Sequence, residues 1–143
     1  MLSVYYAHME RARNQRQGAK WIRRERRLAL YIRDGLACVY CGDGIEDGAT
    51  LTLDHCKPNA QGGCNGNANL VTACKRCNER RGTRPVAEFA RAVADYCDVH
   101  VAAIERHVRN CRRRAVDVQQ AKDIIARRGG WAPALVAARE ETA

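Results

Sequence analysis

The sequence has few aromatic residues and no long apolar run. It contains one Phe, two Trp and five Tyr, so a buried core has to rest on Leu, Ile, Val and Ala. A membrane-spanning helix needs about 20 apolar residues in succession, and their absence predicts that no segment spans a membrane. The first residues also lack the charged start, apolar run and cleavage site of a signal peptide. We therefore expect a cytoplasmic protein, built as one small domain with helical extensions.

Positive charge and cysteine are abundant instead. The chain carries 25 Lys and Arg against 16 Asp and Glu, a formal net charge of +9. This balance favours an anionic partner, and nucleic acid is the first candidate. Eight cysteines are many for a reducing compartment, where they indicate metal binding more often than disulfides. A metal site would also stabilise a core that is poor in aromatic residues.

Changes in composition divide the chain into three regions. Residues 1–36 predict a basic, largely helical arm that ends near Gly35. Residues 37–84 are rich in Gly, Asn and Cys and contain two strand-like runs, LTLDH and NLVTA. Residues 85–143 return to a helical pattern, with an apolar face that begins at Phe89. We expect the middle region to be the functional core and the last to be a helical extension.

Two Cys-x-x-Cys pairs predict a structural zinc site. Cys38 and Cys41 form the first pair, and Cys74 and Cys77 form the second. Four thiolates in a tetrahedron suit Zn²⁺ and leave no open position for water, so this ion would hold the fold rather than react. The alternative interpretation is a pair of redox motifs. The loop between the pairs is long enough to contain a further site.

The other four cysteines give weaker signals. Cys56 and Cys64 lie in the loop between the two Cys-x-x-Cys pairs. They could be ligands of a second metal site, but we expect them to be unpaired thiols. Cys97 and Cys111 fall on the apolar pattern of the C-terminal helices, which predicts small core residues.

Three polar residues in the middle region suggest chemistry. The carboxylate of Asp54 and the amide oxygen of Asn78 are hard ligands suited to Mg²⁺. A neutral imidazole, here that of His55, can take a proton from water near pH 7. Together these groups fit metal-assisted hydrolysis of a phosphodiester. Each residue alone also has a structural interpretation, as a turn residue, a helix cap or a structural histidine.

The segments RDGLACVYCG, LTLDHCKPNAQGG and NANLVTACKRCNERRG resemble the HNH endonuclease family, in the subgroup that binds zinc through four cysteines. The resemblance spans about residues 33 to 84. It implies an α+β fold in which a small ββα-metal finger is flanked by N- and C-terminal helices. The strands would lie near 51–55 and 69–73, and the helix would run from about Cys74 to Gly82.

The same resemblance assigns roles to residues. His55 would be the general base, and Asn69 would brace the loop so that the base is correctly aimed. Asp54 and Asn78 would bind a catalytic Mg²⁺ or Mn²⁺, and hydrolysis would leave 5′-phosphate and 3′-hydroxyl ends. Candidates for phosphate contacts with DNA are the basic residues on or beside the helix, namely Lys75, Arg76, Arg80, Arg81 and Arg84.

Two other functions stay open at this point. A non-catalytic DNA-binding or assembly module would use the same zinc site, but decay should have removed Asp54, His55 or Asn78, and all three are present. A thiol redox protein would carry its cysteine pairs near a βαβ pattern, and none is visible. By analogy we expect a phage or mobile-element setting, with a homodimer or a phage or mobile-element protein as the partner. Double-strand cutting would need two active sites, hence a dimer or paired nicks.

Overall fold

The computed structural model describes residues 21–142, and the predictions made for residues 1–20 of the basic arm lie outside that range. Within it, six α-helices accompany a two-stranded antiparallel sheet, which confirms the predicted α+β class. The elements in chain order are α1 (Arg24–Arg33), β1 (Leu51–His55), β2 (Leu70–Cys74), α2 (Lys75–Arg81), α3 (Val86–Cys97), α4 (Val101–Arg113), α5 (Val118–Arg128) and α6 (Trp131–Thr142).

The two strands form the expected hairpin with one difference. Leu51 lies opposite Cys74, and His55 lies opposite Leu70. β2 begins one residue later than predicted because Asn69 belongs to a 3₁₀ turn. The pairing brings a predicted zinc ligand to one end of the hairpin and the predicted base to the other.

Helix α2 follows the hairpin directly and completes the ββα unit. Cys74 is its N-cap, and the sulfur of this residue accepts a hydrogen bond from the Cys77 N–H. The helix ends at Arg81, and Gly82 follows with a φ of 55°, a backbone conformation that glycine adopts without strain. The helix is therefore slightly shorter than the predicted span of 74–82.

The hairpin is buried between two groups of helices. Alternate residues of a strand point to opposite faces. Val71 and Ala73 pack in one core with α3 and α4, whereas Leu70 packs in a second core with α1, α5 and α6. All five residues of β2 are buried as a result. The helices that flank the finger thus contribute to both of its cores. The division of the chain into residues 1–36, 37–84 and 85–143 stays a prediction.

A buried ion pair fastens α1 to the hairpin. Arg33 Nε lies 2.7 Å from Asp34 Oδ1. The second carboxylate oxygen of Asp34 accepts the Thr72 N–H at 2.8 Å, and Arg33 Nη2 donates to the Leu70 carbonyl at 2.6 Å. These bonds satisfy two charges that burial would otherwise penalise.

The C-terminal helices largely follow the sequence pattern. α6 begins at Trp131, ahead of Pro133. Proline is tolerated there because an N–H in the first turn has no helical acceptor. Cys111 is buried, and Cys97 packs against the same core, which confirms both as core residues. Within residues 21–142, none of the helices is long and apolar enough to cross a membrane.

Candidate functional site

The four predicted zinc ligands meet at one end of the hairpin. The sulfur atoms of Cys38, Cys41, Cys74 and Cys77 lie within 4.8 Å of one another, and those of Cys41 and Cys74 are 3.8 Å apart. Tetrahedral Zn–S bonds of about 2.3 Å place neighbouring sulfurs about 3.8 Å apart. The cluster therefore has the dimensions of a four-cysteine zinc site.

The thiols of this cluster do not ionise independently. A hydrogen bond from Cys77 lowers the pKa of Cys38 to about 5. Burial, together with the charge of Cys38, raises the pKa of Cys41 to about 12. One thiolate thus discourages the ionisation of its neighbours. A bound divalent cation removes that repulsion, because it takes thiolates as ligands and releases their protons.

Cys56 and Cys64 lie outside the cluster. Among residues 21–142, the four-cysteine cluster is the one group of three or more His, Cys, Asp or Glu side chains close enough to hold a metal ion. Cys56 is buried, and burial raises the pKa of its thiol to about 11, which keeps it protonated and weakly reactive near neutral pH. Cys64 is an exposed free thiol.

His55 lies at the opposite end of the hairpin, between an aromatic ring and an amide. Its ring centroid is 5.2 Å from that of Trp21, with the planes inclined by 33°. Its Nε2 lies 2.8 Å from the side-chain oxygen of Asn65. Because an amide oxygen only accepts hydrogen bonds, the neutral imidazole carries its proton on Nε2. The lone pair is then on Nδ1, the tautomer in which Nδ1 can act as a base.

Asn69 ties the loop between the two strands. Its Oδ1 accepts the Lys57 N–H at 2.8 Å, and its Nδ2 donates to the carbonyls of Lys57 and Cys64 at 3.1 and 2.8 Å. Gly63 passes so close that a Cβ would lie 1.8 Å from the Lys57 carbonyl oxygen, which excludes any larger residue. These bonds hold the chain directly before Asn65, an arrangement that fits the bracing role predicted for Asn69.

Asn78 faces β1 from helix α2. Its Nδ2 donates to the Thr52 hydroxyl at 2.9 Å and to the Leu53 carbonyl at 3.2 Å. A carbonyl oxygen only accepts, so the amide nitrogen has to face the strand. No hydrogen bond within the described residues uses the Asn78 side-chain oxygen, which leaves that oxygen for another partner.

Asp54 is buried and held through one of its two oxygens. Its Oδ2 accepts the Tyr40 hydroxyl at 2.7 Å and pairs with Arg81 Nη1 at 2.8 Å. Burial raises the pKa of this carboxyl, while the Arg81 charge and the Tyr40 hydrogen bond oppose the rise. Across residues 21–142 no hydrogen bond uses the Asp54 Oδ1.

Arg81 corrects one prediction made from the sequence. Its side chain is 0% exposed, so it cannot contact a DNA phosphate as expected. It donates instead to the carbonyls of His55 and Cys56, each at 2.6 Å, and it pairs with Asp54. Arg81 therefore fastens the end of β1 to α2, a role that a basic run in the sequence does not distinguish from surface charge.

Of the other four basic residues, three lie on α2, and Arg84 follows the end of the helix. Lys75, Arg76 and Arg80 are exposed, and Arg84 is half-buried. Successive helical residues are rotated by about 100°, which places Lys75 on the side of Asn78 and both Arg76 and Arg80 on the far side. Of the three basic residues on α2, helix geometry therefore puts Lys75 beside the candidate site.

Sequence reasoning missed three residues that shape this site. Trp21 stacks on His55 and has the Arg27 guanidinium over its own ring at 5.7 Å. Asn65 binds the same histidine from the loop, and Tyr40 reaches Asp54 from the first cysteine pair. The position of Tyr40 inside a Cys-x-x-Cys turn was a usable signal, whereas nothing local marks the other two.

Comparisons with known proteins support the pattern. A family model described as HNH endonuclease matches residues 38–94. The chain is 40% identical over 60 residues to the CRISPR-associated endonuclease Cas9 of Corynebacterium diphtheriae, covering 41% of this chain and 5% of that protein. It is 41% identical over 66 residues to the Cas9 of Actinomyces naeslundii, covering 46% of this chain and 6% of that protein. It thus spans a small fraction of these relatives' length. No solved structure matches significantly.

The matched segment contains the whole hairpin, helix α2 and all four clustered cysteines. The sequence resemblance and the geometry therefore agree on the same part of the chain. The predicted resemblance is confirmed: residues 38–94 have the pattern of the HNH endonuclease family, with the cysteine cluster of a zinc-binding ββα finger.

Proposed function

We propose that this chain hydrolyses DNA phosphodiester bonds with the help of a divalent ion, leaving 5′-phosphate and 3′-hydroxyl ends. The supporting observation is shared by three side chains. Each is held through one polar atom, and a second polar atom makes no hydrogen bond within residues 21–142. These second atoms are His55 Nδ1, Asp54 Oδ1 and Asn78 Oδ1. A basic nitrogen and two hard oxygens are what metal-assisted hydrolysis needs.

In this proposal His55 acts as the general base. Its Nδ1 takes the proton from the attacking water, because the bond to Asn65 keeps the other ring nitrogen protonated. Trp21 limits rotation of the ring by stacking on it. Asn69 contributes indirectly, through the loop that carries Asn65.

Asp54 and Asn78 are the proposed ligands of the catalytic ion. Asp54 Oδ1 and Asn78 Oδ1, the oxygens that take no part in the bonds to Arg81 and Thr52, would hold Mg²⁺ or Mn²⁺. When bound, such an ion stabilises negative charge on the reacting phosphate. Arg81 holds Asp54 in place and favours its charged form, since burial raises the pKa of the carboxyl and the guanidinium opposes that rise.

DNA is the proposed substrate on grounds of charge and family. The net charge of +9 favours a polyanion, and both Cas9 relatives are named as endonucleases. Lys75 can contact a phosphate on the Asn78 side of α2, and the arginines on the far side contact more distant parts of the backbone. Zn²⁺ has a structural role in this proposal, because four thiolates leave no open position.

A plasmid-nicking assay tests the proposal. Supercoiled DNA is incubated with wild type, with Asn78→Ala, and with Asn110→Ala, the same change at an exposed residue of α4, as the control. The wild type should nick the plasmid only when Mg²⁺ or Mn²⁺ is added. The nicking rate of Asn78→Ala should be at least about tenfold lower, as for other disturbed metal sites. DNA ligase should reseal the nicks without further treatment, since the ends are 5′-phosphate and 3′-hydroxyl.

The alternative function predicts a different outcome in the same assay. A non-catalytic zinc-stabilised module would bind the plasmid, retain its zinc and leave the DNA intact with every divalent ion tried. Cytoplasmic location, homodimerisation and a phage or mobile-element partner stay predictions of the sequence.

A further inference from the structure

A second basic surface lies on the side of α2 away from Asn78. A cavity of about 320 Å³ opens between α2 and α3. Its lining combines guanidinium groups with aromatic rings, and we call it the arginine–tyrosine groove. The residues that define it are Arg76, Arg80, Arg84, Phe89 and Tyr96.

The aromatic side of the groove has a buried part and an exposed part. Phe89 is 3% exposed, whereas Tyr96 is 75% exposed. The guanidinium of Arg84 lies over the Phe89 ring at 5.2 Å, so the ring of Tyr96 is the more accessible of the two. An exposed aromatic ring beside basic groups is suited to stacking against a nucleobase.

The arginine side carries three guanidinium groups, and Cys41 and Cys77 of the cysteine cluster also line the groove. Arg76 pairs with Asp43 at 3.3 Å, and both side chains are about half exposed, so this pair is weak. The Arg80 side chain forms no hydrogen bond or ion pair with the described part of the chain. No acidic residue is among the described lining of the groove. The Arg80 guanidinium is therefore the group of the groove that complements phosphate.

We propose that the arginine–tyrosine groove binds a nucleotide in a single-stranded segment of nucleic acid. The base stacks on Tyr96, and the adjoining phosphate contacts Arg80. Bases of an intact duplex are stacked on one another and present no free face, so this groove selects single-stranded over double-stranded substrate.

The groove is separate from the candidate cleavage site. Arg80 lies about 160° round the axis of α2 from Asn78, since two residues of helix correspond to a rotation of about 200°. The inference extends the proposed function by giving the nucleic acid a second contact. It rests on that function for the identity of the partner, while its geometry is independent of the three catalytic candidates.

Fluorescence anisotropy on the zinc-loaded full chain tests this inference. Each variant is placed in a His55→Ala background without added Mg²⁺ or Mn²⁺, so that binding is measured without cleavage. A labelled oligothymidylate is compared with a blunt duplex of equal length. The variants are Tyr96→Ala, Tyr96→Phe and Arg80→Ala, with Arg91→Ala as the control, an exposed arginine on α3 outside the groove.

Tyr96→Ala should weaken single-strand binding by about fivefold or more, the loss of one base–aromatic stack, with a smaller effect on the duplex. Tyr96→Phe should bind as tightly as the unsubstituted background, because the ring is kept. Arg80→Ala should weaken binding more than Arg91→Ala. The inference is overturned if Tyr96→Ala binds the single strand normally, or if single strand and duplex weaken equally.

The proposed function and this inference can fail separately. If the wild type nicks plasmid but single-strand binding does not depend on Tyr96, the proposed role of the groove is overturned and the proposed nuclease activity is retained. If single-strand binding depends on Tyr96 but the protein nicks no substrate, the proposed role of the groove is retained and the proposed nuclease activity is overturned.

Discussion

The two ends of the β1–β2 hairpin are built in different ways. At the cysteine end, four sulfur atoms within 4.8 Å come from two short local motifs. At the histidine end, His55 is held by Trp21 and Asn65, which come from different parts of the chain. The carbonyl of His55 is bound by Arg81 from the following helix. One end depends on local spacing, whereas the other depends on the completed fold.

This difference separates stability from chemistry. Structural zinc sites contribute directly to folding, so damage at the cysteine end should affect the whole domain. Damage to the side chains that contact the His55 ring, Trp21 and Asn65, should alter a few contacts there while the two cores persist. Substitutions at the two ends, from the largest expected effect to the smallest, test that separation.

Replacement of one predicted zinc ligand should have the largest effect. Cys74→Ser removes a thiolate and caps α2 differently, and the loss of a structural zinc site amounts to about 10 kcal/mol or more. We expect the variant to lose its zinc and its cooperative thermal unfolding transition. Metal analysis measures the first, and circular dichroism measures the second. Cys64→Ser, the same change at an exposed thiol, should retain both. A stable, zinc-free Cys74→Ser protein would contradict the structural role of the site.

Arg81→Met should have the next largest effect, because it leaves Asp54 buried without its ion-pair partner. Breaking a buried pair destabilises a protein by about 3–5 kcal/mol. Arg80→Met provides a matched control one residue away, where the side chain is exposed and a change within about 0.5 kcal/mol is expected. Urea unfolding of the two zinc-loaded variants measures the difference. Equal stability of both would show that the Asp54–Arg81 pair is dispensable.

Gly63→Ala should disturb the loop that carries Asn65. The new Cβ would lie 1.8 Å from the Lys57 carbonyl oxygen, and such overpacking costs about 1–3 kcal/mol. We expect reduced plasmid nicking with zinc content unchanged. Gly130→Ala is the control, because the nearest atom to its Cβ would be 4.0 Å away. Wild-type nicking by Gly63→Ala would mean that the loop does not aim the base.

Trp21→Ala should have the smallest effect of the four. The stack on His55 is an aromatic contact worth about 0.5–1.5 kcal/mol, so nicking should fall severalfold while the zinc content and the unfolding transition stay close to wild type. Trp21→Phe should restore most of the rate because it keeps a ring. A full loss of activity in Trp21→Phe would indicate that the indole contacts DNA instead.

Sequence reasoning succeeded where information is local. The spacing of the cysteines predicted the cluster, and the LTLDH and NLVTA runs predicted the hairpin, with β2 shifted by one residue along the chain. It failed to separate Arg80 from Arg81, which are adjacent basic residues on one helix. A rotation of about 100° exposes the first and buries the second. The side chain of Arg81 points inward because it pairs with Asp54, and only the tertiary fold brings these two residues together.

The partners of the candidate site were the least predictable feature. Tyr40 and Arg81 both reach the Asp54 Oδ2, although they lie on opposite sides of Asp54 in the sequence. Trp21 reaches His55 because α1 packs against the hairpin, and no periodicity in the chain encodes that contact. A polar site assembled from distant segments needs the packing of the whole chain.

The most direct test of this account is the nicking rate of His55→Ala, measured together with the zinc content of the same preparation. The account predicts a full complement of zinc, a normal unfolding transition and a nicking rate at least about 100-fold below wild type, the usual contribution of a general base. Nicking at the wild-type rate by zinc-loaded His55→Ala would contradict the assignment of chemistry to the histidine end.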